Sequence, residues 1–113
     1  MSDLAALGLA QSASLLLVAP PDDVMAEAAR MRPRPSSASS IMTAEPAQEI
    51  VWWLAPEDLM AAAAQKIAWM VGVSHGRVWL VLEEGDALTA PGLALEAAPP
   101  VEGRTVFVVR GGG

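Results

Sequence analysis

The residues able to do chemistry in this chain are mostly carboxylates. Thirteen acids stand against seven cations and one histidine, and there is no cysteine. The acids recur in pairs just after apolar runs. Asp22-Asp23 follows Leu15 to Ala19, Glu57-Asp58 follows Ile50 to Ala55, and Glu83-Glu84 follows Val78 to Leu82. Together with Glu45 they are expected to gather along one rim. Such a rim would take a cation, an amine or a basic partner surface, and would repel phosphate. The same acids also fit a purely structural role, as charges at helix N-termini. His75 is the one candidate general base. It precedes an apolar run, on the side away from the rim, and the sequence around it completes no triad. Without cysteine there is no thiol catalysis, disulfide or thiolate metal site, and one histidine rules out a His-rich metal site. No catalytic residue is assigned, no metal is expected, and the balance leans away from an enzyme.

The cations are expected at the opposite edge. Arg30, Arg32, Arg34, His75, Arg77 and Arg110 fall there, giving a molecule acidic on one side and basic on the other. Arg30 lies near the end of a helix, Arg32 and Arg34 lie in the proline-broken loop after it, and all three are candidate interface residues. The net charge of −6 argues against general nucleic-acid binding, which needs a basic surface. Of the four tryptophans, Trp52, Trp53 and Trp79 sit inside apolar runs and read as core. Trp69 is different: it falls on the outer side of a helix and is a candidate contact residue.

These residues need elements to hold them. Ile50 to Leu54 is apolar without alternation, which implies a strand covered on both faces, as in parallel sheets flanked by helices. Ile50, Trp52 and Leu54 should face one side, and Val51, Trp53 and Ala55 the other. Ser14 to Ala19 and Arg77 to Glu83 have the same character. Helices are expected at Ser2 to Leu7, Asp22 to Met31 and Leu59 to Val71. In the last, Leu59, Met60, Ala63, Ile67, Met70 and Val71 share the sheet-facing side. Ser39 to Thr43 reads as a weak edge strand, Gly72 to Gly76 as a loop, and Leu93 to Ala98 with Arg104 to Arg110 as a closing hairpin. One domain over residues 1–110 with a disordered glycine tail at 111–113 follows from length and pattern. No basic leader precedes Arg30, and the longest apolar stretch is too short to span a bilayer, so a cytoplasmic protein without membrane contact is expected. The abundance of alanine and the preference for arginine over lysine resemble a high-GC bacterial composition.

Two folds accommodate this order: a three-layer Rossmann-like α/β sheet, favoured by the unbroken runs, and a ferredoxin-like α+β sandwich. The short link from Thr43 to Ile50 leaves no room for a crossover helix. In the first fold, an extended loop must cross there.

With Glu49 opening the central strand and Leu93 to Arg110 forming a terminal hairpin, the layout resembles a pared-down methyltransferase-like Rossmann fold. The opening apolar strand that runs into Ala19-Pro20 and the late Gly76-Arg77-Val78-Trp79 strand also resemble small bacterial proteins of that shape. The resemblance implies a ligand crevice around Ala19, Pro20, Asp22, Asp23, Glu45, Ala55, Glu57 and Asp58, and S-adenosylmethionine as its cofactor. The chain departs from the family where the cofactor would sit: Ala19-Pro20-Pro21-Asp22-Asp23 replaces a glycine-rich turn, which removes N–H donors and backbone freedom. The expectation is therefore a non-catalytic Rossmann-like interaction module without a cofactor, with a protein partner or a second copy. The alternative is a binder of S-adenosylmethionine-type molecules or a minimal methyltransferase.

Overall fold

The computed structural model describes residues 14–31, 34–83, 95–98 and 103–110. They form an α/β domain with a six-stranded mixed sheet and two α-helices. In chain order these are β1 (Leu15–Val18), α1 (Asp22–Ala28), β2 (Ser36–Ala38), β3 (Glu49–Trp53), α2 (Ala61–Ser74), β4 (Arg77–Glu83), β5 (Glu96–Ala97) and β6 (Arg104–Arg110). Single 3-10 turns fall at Ile41–Thr43 and Pro56–Asp58. The strand order is β2-β1-β3-β4-β6-β5. The first four strands in this order are parallel, β6 runs antiparallel to β4, and β5 runs antiparallel to β6.

The alternation along β3 sorts the core into two layers. Ile50, Trp52 and Leu54 pack with Leu16, Val18, Val78, Leu80 and the inner face of α2. Val51 and Trp53 pack with Leu15, Leu17, Trp79, Val81 and with Val24 and Ala28 of α1. A helix thus covers each face. This arrangement, with its parallel strands, excludes the ferredoxin-like sandwich, whose helices share one face. Burial on both faces explains why the strands read as continuous apolar runs.

Several expected boundaries move. The edge strand lies at Ser36–Ala38, three residues before the stretch expected to form it. Residues 39–48 instead make the crossover to β3. Ser40 closes its 3-10 turn, its hydroxyl accepting from the Met42 N–H at 3.1 Å. Ile41 and Ala44 are buried against α2, so the apolar character of this stretch comes from packing over the sheet. Helix α2 begins at Ala61, which leaves Met60 as an exposed N-cap residue rather than part of the buried face.

Helix α2 runs through Gly72 and stops one turn later. His75 takes the left-handed conformation at φ 55°, its N–H donating to the Val71 carbonyl at 3.0 Å. Gly76 then passes so close to Gln48 that a Cβ there would lie 2.2 Å from its carbonyl oxygen. Gln48 binds this turn from both sides. Its carbonyl accepts from the Arg77 N–H at 2.9 Å, and its side-chain amide donates to the Ser74 carbonyl at 3.0 Å. The sequence loop expected at Gly72 to Gly76 is therefore helix for most of its length. The expected helix at Ser2 to Leu7, the hairpin tip and the glycine tail lie outside the described residues.

Candidate functional site

The C-terminal edge of the parallel strands is built from the turns that follow β1, β3 and β4. After β1 the chain reverses at Ala19, which sits at φ 51°, a conformation that usually calls for glycine. Its N–H donates to the Ala38 carbonyl at 2.9 Å, holding the turn on β2. Pro20 and Pro21 carry the chain into α1, where Asp22 and Asp23 are exposed in the first turn and Pro21 supplies no side-chain cap. After β3, Asp58 closes its own turn: its carboxylate accepts from the Ala55 N–H at 3.0 Å, and its N–H donates to the Ala55 carbonyl at 2.9 Å. Glu57 is exposed beside it. After β4, Glu83 stands opposite Arg104 of β6.

Two open depressions lie along this edge. One, of about 350 Å³, is lined by Ala19, Ser39, Ser40, Trp52, Asp58 and Met60, among others. The second, of about 480 Å³, lies between Trp53, Ala55, Glu57, Asp58, Glu83 and Arg104. The structure thus brings together Ala19, Ala55, Glu57 and Asp58 of the expected crevice. Pro20, Asp22 and Asp23 line neither depression. Glu84 lies outside the described residues.

Glu45 is at the wrong end for the expected rim. It lines a different hollow of about 390 Å³ with Ser14, Arg34 and Ser36, where β1 and β2 begin. By residue 45 the crossover has already returned to the start of β3.

The expected charge separation is also corrected. At the N-terminal edge, Arg77 is paired with Glu49 through both Nε and Nη2, and the Trp79 Nε1–H donates to the other Glu49 oxygen at 2.8 Å. The Arg77 guanidinium lies 5.0 Å from the Trp79 ring centre. Arg110 donates to Glu96 at 2.8 Å. Arg34 spends an Nη2–H on the Ala29 carbonyl at 3.2 Å. Arg104 stands at the acidic edge. Arg32 lies outside the described residues, and Arg30 is exposed after α1. Among the described residues, no group of three or more His, Cys, Asp or Glu could hold a metal ion.

The Glu49–Arg77–Trp79 cluster is the arrangement that residue-by-residue reading misses. Its signal was present: Glu49 and Arg77 are the first residues of two strands that pair in parallel, and Glu49↔Arg77 is their register. Without the pairing, the charges at two distant strand starts carry no relation.

The remaining candidate surface is the outer side of α2. Ala62, Gln65, Trp69, Gly72 and Val73 are exposed along it, with Lys66 at its border. Trp69 is 54% exposed and Val73 53%. The Lys66 ammonium lies 5.1 Å from the Trp69 ring centre, a cation–π contact within the helix. No acid occurs anywhere in α2.

No protein-family model matches the chain, and neither a curated protein nor a solved structure matches it. Among the described residues, no helix is long and apolar enough to cross a membrane.

Proposed function

We propose that the chain is a non-catalytic, Rossmann-like interaction module that works through the outer face of α2. The observation that carries this reading is an exposed tryptophan and valine one turn apart on a fourteen-residue helix with a single charged side chain. A helix that meets water on its outer side ordinarily carries charge there. One that is apolar on both sides is ordinarily covered on both. A large aromatic flanked by small residues is also the usual anchor of a protein contact. The strand order β2-β1-β3-β4-β6-β5, with its antiparallel last pair, supports the Rossmann-like part of the reading. The engagement of Glu49 by Arg77 and Trp79, and of Asp58 by its own turn, supports the non-catalytic part. Trp69→Asp tests it. The substitution is expected to abolish association while shifting the melting temperature by only a few degrees, since surface changes usually stay within about 0.5 kcal/mol. Collapse of the fold would place Trp69 among the structural residues and end the proposal.

One observation favours a second reading, a crevice for S-adenosylmethionine-type molecules. The turn after β1 does enter the left-handed region, at Ala19, beside a depression of about 350 Å³. Thermal unfolding with S-adenosylhomocysteine decides it. Ligand at a hundred times its dissociation constant would add about 2.7 kcal/mol, a shift on the order of 10 °C. An unmoved transition removes this reading.

A further inference from the structure

We infer that the partner of the α2 face is a second copy of this chain, with the two α2 helices packed antiparallel across a two-fold axis. This rests on the reading of α2 as a contact surface and adds the identity of what covers it.

The first argument is charge. A strongly basic partner finds no acid on this helix, and a strongly acidic one finds only Lys66, already held over Trp69. The surface that complements it is itself nearly uncharged and apolar. For a chain of net charge −6, the exposed face of α2 is where two copies can meet without opposing carboxylates on the contacting helices. The second argument is shape. A two-fold interface requires knob and hole on the same surface. Here Ala62, Gln65, Lys66 and Trp69 stand at i, i+3, i+4 and i+7, the four corners of a hole in helix packing. Trp69 is the knob. Seating the Trp69 of one copy in the hole of the other fixes the register, and the same register sets Val73 over the small residues Ala61 and Ala62. The antiparallel sense also brings the Glu57-Asp58 end of one helix beside the His75 end of the other, so that opposite dipole ends meet.

At 1.5 Å per residue the helix is only about 21 Å long, so the pair falls at the small end of stable interfaces. A dissociation constant in the micromolar range is expected.

The test uses the full chain and its lack of cysteine. Sedimentation equilibrium of the wild type should show a dimer in the micromolar range, and Trp69→Asp should be monomeric over the same range with its melting transition retained. Single variants Ala62→Cys and Val73→Cys, each checked for an unchanged melt, are then oxidised with diamide alone and as a mixture. In the antiparallel register the two Ala62 positions lie roughly 16 Å apart along the axis, while Ala62 faces Val73 of the other copy. The mixture should therefore give a disulfide dimer in large excess over either variant alone. Self-linking of the separate variants would overturn the antiparallel arrangement, and a dimer that survives Trp69→Asp would overturn the α2 interface. A wild type that stays monomeric at high concentration would overturn the second copy as partner. If it nonetheless binds another chain in a Trp69-dependent way, the module reading stands; if it binds nothing, that reading falls too.

Discussion

Two glycines four residues apart should respond in opposite directions to the same substitution. At Gly76 an added Cβ would lie 2.2 Å from the Gln48 carbonyl oxygen and 2.7 Å from its carbon. Both are backbone atoms of the segment leading into β3, so no side-chain rotation relieves the clash. The chain must separate by about 1 Å to reach ordinary contact. That movement pulls on the Arg77 N–H bond to the Gln48 carbonyl and the Gln48 amide bond to Ser74. Overpacking of this kind costs about 1–3 kcal/mol, and a stretched hydrogen bond adds about 1 kcal/mol. Gly76→Ala should therefore destabilise by about 3 kcal/mol. At Gly72 nothing lies within 4 Å of the added carbon, and the residue is inside α2. Alanine there gains helix propensity, so Gly72→Ala should stabilise by about 0.5–1 kcal/mol. At roughly 5 °C per kcal/mol for a chain of this size, the two melts should differ by nearly 20 °C. Circular dichroism melts at low concentration, below any association, measure this directly. Equal shifts, or a Gly76→Ala melt within a few degrees of wild type, would refute the claim that the α2–β4 turn is held against Gln48.

Glu49→Ala should lower stability by about 2 kcal/mol, because it leaves the Trp79 indole N–H and the Arg77 guanidinium without their acceptor in a mostly buried site. Glu49→Gln should recover part of that loss, and urea unfolding followed by tryptophan fluorescence separates the two variants. Ala19→Gly should raise the melting temperature slightly, by relief of about 1 kcal/mol at the left-handed position. A lowered melt would mean that the turn after β1 tolerates alanine without strain.

The buried strands were legible because both of their faces are covered. Leu15–Val18, Glu49–Trp53 and Arg77–Glu83 are apolar runs with charged or turn-forming ends, and little else produces that pattern. Edge strand β2 was not legible, because Ser36–Ala38 carries no apolar signal and is defined only by its ladder to β1. The apolar Ile41 beside it drew the strand assignment instead. Its burial comes from α2, twenty and more residues away in sequence. The same distance effect misplaced Glu45. Counted along the chain it follows a strand, and only the path of the crossover carries it to the other end of the sheet. The stop of α2 was hidden for a related reason: Gly72 looks like a terminator, but the helix ends at the left-handed His75, and Gly76 after it passes close against Gln48. Of the expected crevice, the local turns at Ala19 and Ala55 to Asp58 were readable, since proline and acidic residues mark them. The Glu49–Arg77–Trp79 cluster was not, since it depends on which strands are neighbours.

Among the described residues, the sheet ends on both sides in strands that offer little to an incoming chain. β2 is three residues of serine and alanine, and β5 is two exposed residues beginning with Glu96. Short, polar or charged margins of this kind give a foreign strand too few backbone groups to pair with. For a chain in which 53% of residues are hydrophobic, that matters. The interior ladders, which would template fibre growth if they lay at a margin, are each flanked by a neighbour inside the same molecule. Encounters between crowded molecules are thereby turned away from open-ended strand addition.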